Sequence, residues 1–467
     1  MICLNKGLDF FGKAERERVL AKERSDLWDR AHSWHPFTQM KEYLGLPPLH
    51  IEKAKGSWLF DAEGNHYLDT NASVWTNAHG HNDPELNAAL EEQLAKVAHS
   101  TYLGLSHPVG AELGARLSEI APDGLERVTF SDNGSNAVEI ALKQSFQYWQ
   151  SVGRPEKRLV VGFENGYHGD TFGTMSVGGS SGFHGRFADW SFEARKVAPP
   201  VCEELNGEVS FEDEASSLAK LERVLAEEGS RVASVILEPW IQGPAGMRLQ
   251  PKGFLKKVET LCCQYEVHLI LDEVFVGFGR TGSLLVCAEE GVRPDFLCLA
   301  KGLTAGYLPL AATLTTSEVF EAFLGDFDSG KAFYHGHTFT GNPLAAAVAL
   351  KSLEKLERLI ESGKLDQTIA KFGEGVAGLA ADANARSARQ RGMAAAIDLY
   401  PGGDETNAWP LNERVGMRVC VAGRENGLLL RPLMDSILLV PPLTISEREL
   451  DFLFDNLKLT IDKTLRS

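Results

Sequence analysis

The fold is decided by VHLILDEVFVGFGRTG at residues 267–282 and FLCLAKGLTAGYLPLAA at residues 296–312. Each stretch begins with a short, mostly apolar run and reaches a charged side chain, Asp272 in the first and Lys301 in the second. Short apolar runs bounded by polar residues are typical of strands buried in a parallel sheet. Ligands of open α/β sheets bind beyond the carboxyl ends of such strands. The two charged residues therefore mark a candidate site.

Similar apolar runs recur along the chain and alternate with segments of helical periodicity. They lie at residues 127–130, 158–163, 232–237, 267–271, 296–299 and 310–314. This alternation predicts an α/β fold with a largely parallel, buried sheet. One intervening helix can be counted, because Val138, Ala141, Leu142, Phe146 and Trp149 fall on one helical face.

Other elements are predicted on either side of this region. Residues 12–30 form a charged, exposed helix, and residues 50–70 form a hairpin with its turn at 62–65. A long helix follows Pro343 and runs to about Ile360, before a second α+β portion.

Composition excludes several classes of protein. The 467 residues include 47 Lys and Arg against 64 Asp and Glu, a net charge of −17 that argues against a general nucleic-acid binder or a polybasic membrane surface. No apolar stretch reaches the roughly 18 residues of a membrane span, and no signal peptide is expected. The 7 cysteines are scattered without a CxxC pair, so reduced thiols and a cytoplasmic location are expected.

Some short motif matches lack their structural context. Residues 325–331 fit a P-loop up to Ala332, which replaces the magnesium-binding Ser or Thr. Residues 178–182 fit a hydrolase elbow without its strand and helix, and residues 277–282 fit a dinucleotide loop beside two carboxylates. The paired histidines lack zincin spacing, so no metal site is expected.

Features that suit one cofactor follow one another along the chain. The turn Asn133-Gly134-Ser135 at a helix start can bind an anion through free N–H groups, or can be an ordinary N-cap. Tyr167 can stack on a flat ring or pack in the core. Asp272 can keep a heteroaromatic nitrogen protonated, or can cap a helix.

The remaining two features come later in the chain. Lys301 at a strand end can be a nucleophile of lowered pKa toward carbonyls, or a solvated lysine. Thr338 can complete a phosphate site, or bond to its own loop.

This order resembles the fold-type I pyridoxal-phosphate enzymes of the class III aminotransferase family. The resemblance includes LEPWIQGPAGM at residues 237–247 and extends from about residue 32 to residue 460. It implies a large cofactor-binding domain over residues 65–345 with a mostly parallel mixed sheet. It also implies a smaller α+β domain from residues 1–64 and 346–467, and a homodimer with shared active sites.

The resemblance assigns cofactor roles to particular residues. It implies that Lys301 binds pyridoxal 5'-phosphate covalently and then moves a proton, while Asp272 pairs with the pyridine nitrogen. The other implied cofactor contacts are Val274 and Tyr167 on the two ring faces, Gly134 and Ser135 at the phosphate, and His337 and Thr338, the latter from the neighbouring subunit.

Within the family, WHPFTQM at residues 34–40, NGYHGDTFG at 165–173, HGHTF at 335–339 and LRP at 430–432 resemble the members that act in biotin biosynthesis. This implies amination of 8-amino-7-oxononanoate to 7,8-diaminononanoate. The alternative is another class III transaminase, acting on 4-aminobutyrate, ornithine or a diamine.

Substrate-binding roles follow from the same resemblance. Arg431 is expected to bind the substrate carboxylate, and Gly336 to let the substrate pass close to the backbone. The expected substrate contacts are Phe37, Val74, Trp75, Tyr167 and Lys301. Many relatives have Tyr at the position of Phe37 and Trp at that of Val74, so the donor is either S-adenosylmethionine or lysine. Phe275 is bulkier than the usual residue.

Overall fold

The computed structural model describes residues 24–179, 181–205, 208–212, 214–380, 385–401 and 408–465. The chain forms two compact units. Unit 1 comprises Met1–Ala54 and Leu59–Tyr67, and unit 2 comprises Lys55–Trp58 and Leu68–Ser467. The domain division expected near residues 64 and 345 stays a prediction.

The helices are α1 (residues 24–32), α2 (Met40–Gly45), α3 (Ala72–Trp75), α4 (Pro84–Leu94), α5 (Pro108–Ile120), α6 (Gly134–Ser151), α7 (Phe172–Val177), α8 (Ser181–His184), α9 (Glu214–Glu228), α10 (Phe254–Gln264), α11 (Val286–Glu289), α12 (Ser317–Glu321), α13 (Pro343–Glu361), α14 (Lys364–Ala380), α15 (Val415–Gly423) and α16 (Glu447–Leu465). The strands are β1 (Ile51–Lys55), β2 (Trp58–Asp61), β3 (His66–Asp69), β4 (Arg127–Ser131), β5 (Leu159–Phe163), β6 (Ala194–Val197), β7 (Val201–Leu205), β8 (Glu208–Glu212), β9 (Val232–Leu237), β10 (Ile241–Gln242), β11 (Arg248–Leu249), β12 (His268–Asp272), β13 (Phe296–Leu299), β14 (Ala311–Thr315), β15 (Ala385–Arg391), β16 (Ala394–Leu399), β17 (Leu428–Leu429), β18 (Arg431–Leu433) and β19 (Ser436–Leu439).

Unit 1 contains the turn expected at residues 62–65. The Asp61 carboxylate accepts hydrogen bonds from the Asn65 backbone N–H (2.8 Å) and the Tyr67 hydroxyl (2.8 Å), which close the turn. The predicted first strand of the hairpin is two strands, β1 and β2. Much of the helix expected over residues 12–30 lies outside the described residues, and its last part falls in α1.

A seven-stranded sheet in the order β4-β14-β13-β12-β9-β5-β6 forms the centre of unit 2. All six apolar runs named above form strands of this sheet, namely β4, β5, β9, β12, β13 and β14. The pairs among β13, β12, β9, β5 and β6 are parallel, whereas β14 runs antiparallel to both β13 and β4. The fold is therefore α/β with a mixed, mostly parallel sheet.

Helix α6 covers one face of this sheet and includes the predicted helical residues. Val138, Ala141, Leu142 and Trp149 are buried there, as the periodicity predicts. Phe146 belongs to the same apolar pattern but is 47% exposed. A helix repeats every 3.6 residues, so the pattern identifies one face of the helix. The part of that face that packs against the sheet is narrower than the apolar pattern.

The C-terminal part of unit 2 contains a four-stranded sheet in the order β15-β16-β19-β18, with α14 and α16. The expected α+β portion is thus present, and α13 (Pro343–Glu361) matches the predicted long helix. No described helix has the length and apolar character needed to cross a membrane.

One buried lysine donates hydrogen bonds to backbone oxygens at the beginning of β9 and in the loops before β9 and β12. Lys157 is fully buried, and its Nζ donates to the backbone oxygens of Glu266 (2.7 Å), Val232 (3.1 Å) and Gly229 (3.3 Å). The same Nζ lies 4.4 Å from the centroid of the Trp149 ring. Burial lowers the pKa of Lys157 to about 8.

The substitution K157M should therefore lower the free energy of unfolding by about 2–4 kcal/mol, because it leaves buried carbonyl oxygens without a donor. K220M, at an exposed position of α9, should change it by less than about 0.5 kcal/mol. Urea denaturation followed by circular dichroism measures both, and equal effects would contradict the stabilising role of Lys157.

Candidate active site

A cavity of about 430 Å³ opens at the carboxyl ends of the parallel strands of unit 2. Strands β9, β12 and β13 each contribute the residue at or just beyond their last position. The sequence-predicted residues that line the cavity are Val74, Gly134, Ser135, Tyr167, Asp272, Val274 and Lys301. The sheet thus brings together residues that are more than 200 positions apart in the chain.

Asp272 and Lys301 reach the cavity from neighbouring strands. Asp272 ends β12 and is paired with Cys298 of β13, three residues before Lys301. Burial lowers the pKa of the Lys301 amine, and the nearby charges of Asp272 and Glu238 oppose this shift. A lysine whose amine is more readily deprotonated is a better nucleophile toward carbonyl carbon.

A histidine that was given no role in the sequence analysis holds the Asp272 carboxylate. His168 is buried, and its Nδ1 lies 2.8 Å from Oδ2 of Asp272. The other carboxylate oxygen accepts the backbone N–H of Val274 at 3.1 Å. Asp272 is therefore fixed from two sides. The NGYHGD motif contains His168, but only the tertiary structure shows its partner.

The turn before α6 forms the anion-binding feature that the sequence predicts. The side chain of Asn133 accepts the Asn136 N–H at 3.1 Å, so Asn133 is the N-cap. A Cβ on Gly134 would lie 2.6 Å from Cγ1 of Val274, so only glycine allows this approach. Gly134 and Ser135 begin α6 and line the cavity, and the first N–H groups of a helix have no partner within the helix.

Tyr167 is held at both its backbone and its hydroxyl. Its backbone N–H donates to Oε2 of Glu238 (2.9 Å), and its hydroxyl donates to Oδ2 of Asp170 (2.8 Å). Nε2 of His184 lies 2.9 Å from the other oxygen of Asp170, and its ring stacks on Tyr167. Burial, followed by the Asp170 hydrogen bond, raises the pKa of Tyr167. The ring is therefore a fixed wall, and its hydroxyl stays protonated.

Glu238 directly follows β9, and Gln242 is the last residue of the short strand β10. Glu238 is buried, and its two carboxylate oxygens accept N–H groups of Tyr167 and Gly243. Burial, and then the charge of Asp272, raise the pKa of Glu238 to about 8. Gln242 donates to the backbone oxygen of Glu164 at 3.0 Å. Both residues thus hold loops in place.

Several sequence-predicted residues lie outside the lining of this cavity. Phe37 belongs to unit 1, where it is 59% exposed. Gly336 and Thr338 are exposed on the loop before α13, and Nδ1 of His337 lies 3.0 Å from Oδ2 of Asp132, which lines the cavity. Arg431 begins β18 and has a pKa lowered by desolvation. Their binding roles stay predictions.

The cavity fits a flat, phosphorylated heteroaromatic aldehyde. A carboxylate and an amine enter from neighbouring strands, a helix start offers free N–H groups, and Tyr167 and Val274 offer apolar faces. Gly169 lets its loop approach Ser135, since a Cβ there would lie 2.0 Å from the Ser135 Oγ. Among the described lining residues Lys301 is the one lysine, and arginine is absent.

Comparison with known families agrees with this geometry. Residues 40–461 match the family described as Aminotransferase class-III. The chain belongs to the class III aminotransferases. A curated relative from Geobacter sulfurreducens, named adenosylmethionine-8-amino-7-oxononanoate aminotransferase, is 46% identical over 436 residues, 93% of this chain and 96% of the relative. A relative of the same name from Aquifex aeolicus is 45% identical over the same shares.

Solved structures of transaminases show the same fold. The crystal structure of the Methanocaldococcus jannaschii protein of that name is 39% identical, with a TM-score of 0.89 over 95% of this chain and 99% of that chain. An (S)-enantioselective omega-transaminase from Thermomicrobium roseum is 30% identical, with a TM-score of 0.87 over 95% and 98%. The fold-type I architecture expected from the sequence is confirmed.

The buried Glu238 predicts a pH dependence of stability. Its pKa is raised from 4.5 to about 8, so the folded protein binds a proton that the unfolded chain releases above pH 4.5. The stability from this group is fully present below pH 4.5 and is lost as the pH rises toward about 8. Its largest slope is about 1.4 kcal/mol per pH unit.

E238Q cannot titrate and should lack this slope, although it also loses one acceptor for a backbone N–H. We expect the unfolding free energy of the unmodified protein, minus that of E238Q, to decrease from pH 5.5 to pH 8, because only the unmodified protein loses the contribution of a protonated Glu238. Urea denaturation at several pH values gives the slopes, and parallel curves would show that Glu238 is not protonated in the folded protein.

Proposed function

We propose that this class III aminotransferase converts 8-amino-7-oxononanoate to 7,8-diaminononanoate, with pyridoxal 5'-phosphate as cofactor and S-adenosylmethionine or lysine as amino donor. The observation that carries the proposal is the meeting of Asp272 and Lys301 in one cavity beside the start of α6. Relatives that are 39–46% identical over most of the chain carry this activity in their names.

The cavity offers a partner for each part of the cofactor. Asp272, fixed by His168, would hold the ring nitrogen, and the free N–H groups of α6 with Ser135 would hold the phosphate. Tyr167 and Val274 would cover the ring faces. When bound, pyridoxal phosphate supplies a carbonyl carbon that exchanges amines and a ring that accepts electrons.

Lys301 is the group that would move the proton. Its amine would take the proton from the donor carbon that bears the amino group and deliver it to the carbon that the cofactor contributes as its carbonyl. The reverse order would serve the ketone. Asp272, by keeping a positive charge on the ring, would stabilise the electrons that this transfer leaves behind. Both groups are buried, and a charge-stabilising contact is stronger in such a setting than in water.

The substrate would enter as an amphipathic anion. We propose Phe37, Val74, Trp75 and Tyr167 as apolar contacts for its chain, with Gly336 at a close backbone approach. In a protein of net charge −17, a carboxylate needs a local cation, and Arg431 is the candidate. The cytoplasm is the proposed compartment, and Cys262, Cys263, Cys287, Cys298 and Cys420 carry free thiols.

Purified protein with pyridoxal phosphate should form diaminononanoate from 8-amino-7-oxononanoate and one of the two donors, detected by mass spectrometry.

We expect K301A to lose at least about 10³-fold in rate and D272N about 10²-fold or more, because each removes a group needed in the transition state. K220A, at an exposed position of α9 outside the cavity lining, is the control. Turnover of 4-aminobutyrate with 2-oxoglutarate, and none of the oxononanoate, would replace this function with the alternative one.

The proposed homodimer shares its active sites. Thr338 is exposed and lies outside the cavity lining of its own chain, which is the position expected of a residue that serves a second copy. Each site would then combine Lys301 of one protomer with Thr338 of its partner.

Subunit mixing tests this sharing. K301A carries one defect, and T338D places a negative charge against the phosphate, so each homodimer should be inactive. In a random mixture about half of the dimers are mixed, and each has one intact site, so about a quarter of the activity should return. If Thr338 served its own chain, mixed dimers confirmed by native mass spectrometry would recover nothing.

A further inference from the structure

Two aromatic rings flank the amine of Lys301. The ring centroids of Trp75 and Phe275 lie 4.4 Å apart at an interplanar angle of 47°. Lys301 Nζ lies over both rings, 5.3 Å from the Trp75 centroid and 5.8 Å from the Phe275 centroid. The two side chains are only 7% and 6% exposed. The pair thus forms a dry aromatic surface beside the reactive nitrogen.

The backbone that presents Trp75 is strained. The residues of α3, Ala72–Trp75, have φ values of 42°, 46°, 68° and 75°, a left-handed turn without a glycine. Such angles cost energy, most of all for a β-branched residue such as Val74. Asp69 holds the turn, because its Oδ2 accepts the Ser73 hydroxyl at 2.8 Å and lies 2.8 Å from His81 Nε2. Backbone strain that is held in place by such contacts indicates that the position of the Trp75 ring has a functional role.

A glycine that directly follows β10 makes room for the ring pair. A Cβ on Gly243 would lie 2.9 Å from Cδ1 of Phe275 and 3.3 Å from Cζ3 of Trp75. The Gly243 N–H donates to Glu238 Oε1 at 3.1 Å, which fixes the loop against the rings. The arrangement therefore depends on three separate elements of unit 2.

The acidic groups and the burial around Lys301 decide what the two rings can do for its amine. The acidic groups that face its amine are Asp272 from β12 and Glu238 from the end of β9, and the titratable groups His168, Tyr167 and Asp132 also line the cavity. Burial lowers the pKa of Lys301. Ring faces attract an ammonium but not a neutral amine, and they do so without adding a further carboxylate that would compete with Asp272.

We propose that Trp75 and Phe275 form an aromatic clamp for the free Lys301 amine, and that Phe275 is a positioning residue that keeps this amine charged and in place between proton transfers. The proposal rests on the role proposed above for Lys301. It also accounts for the large side chain at position 275.

The test measures the proton affinity of Lys301 without any reaction of substrate. Full-length protein, loaded with pyridoxamine phosphate and separately free of cofactor, is labelled with trace acetic anhydride from pH 6 to pH 10. Mass spectrometry of the peptide that contains Lys301 gives the labelling midpoint. F275L removes the ring but stays apolar, so its midpoint should fall by about half to one pH unit, with about 3- to 10-fold faster labelling below the midpoint. F275Y keeps a ring and should restore the midpoint of the unmodified protein.

F254L is the matched control, since Phe254 is a fully buried phenylalanine of α10 that packs on Phe163. It should leave the midpoint unchanged, and F275M replaces F275L if circular dichroism shows that F275L does not fold. An unchanged midpoint in the ring-free variant, or an equal shift in F275Y, would overturn the clamp. Because labelling needs no amino donor or ketone, this result is independent of whether diaminononanoate is formed.

Discussion

The parallel pairing of β12 with β13 is the constraint on which the site depends. It carries Asp272 and Lys301 to the same edge of the sheet, with an acid and an amine facing one cavity. Neither strand could shift by one residue, because each side chain would then move to the opposite face. The buried apolar residues of both strands fix the register, so the hydrophobic core also positions the reactive groups.

Burying ionisable groups costs solvation free energy, and hydrogen bonds from the surrounding residues offset part of this cost. His168 lies against one oxygen of Asp272, and backbone N–H groups satisfy Glu238. Burial, and then the charge of Asp272, raise the pKa of Glu238 to about 8, which limits the negative charge beside Lys301. The aromatic rings near Lys301 fit the same principle, since they favour a cation without adding an anion.

Much of this protein could be predicted from local pattern. The apolar runs located six of the seven strands of the large sheet to within one residue at each end, because buried strands need continuous apolar side chains. The seventh strand, β6, corresponds to no predicted run. The turn before α6, Asp272 and Lys301 could be placed because each directly precedes or follows such an element. Phe146 shows the limit, because periodicity identifies an apolar stripe but not which of its residues are covered.

The sequence by itself determined six strands of the large sheet, the starts of α6 and α13 and the order of the reactive residues, since these depend on neighbours within a few positions. Only the tertiary structure decided that His168 meets Asp272, that Glu238 holds the backbone of Tyr167, and that Phe275 and Trp75 flank Lys301. Those contacts join elements far apart in the chain, and their energies depend on burial, which exists only once the sheet and its loops have packed.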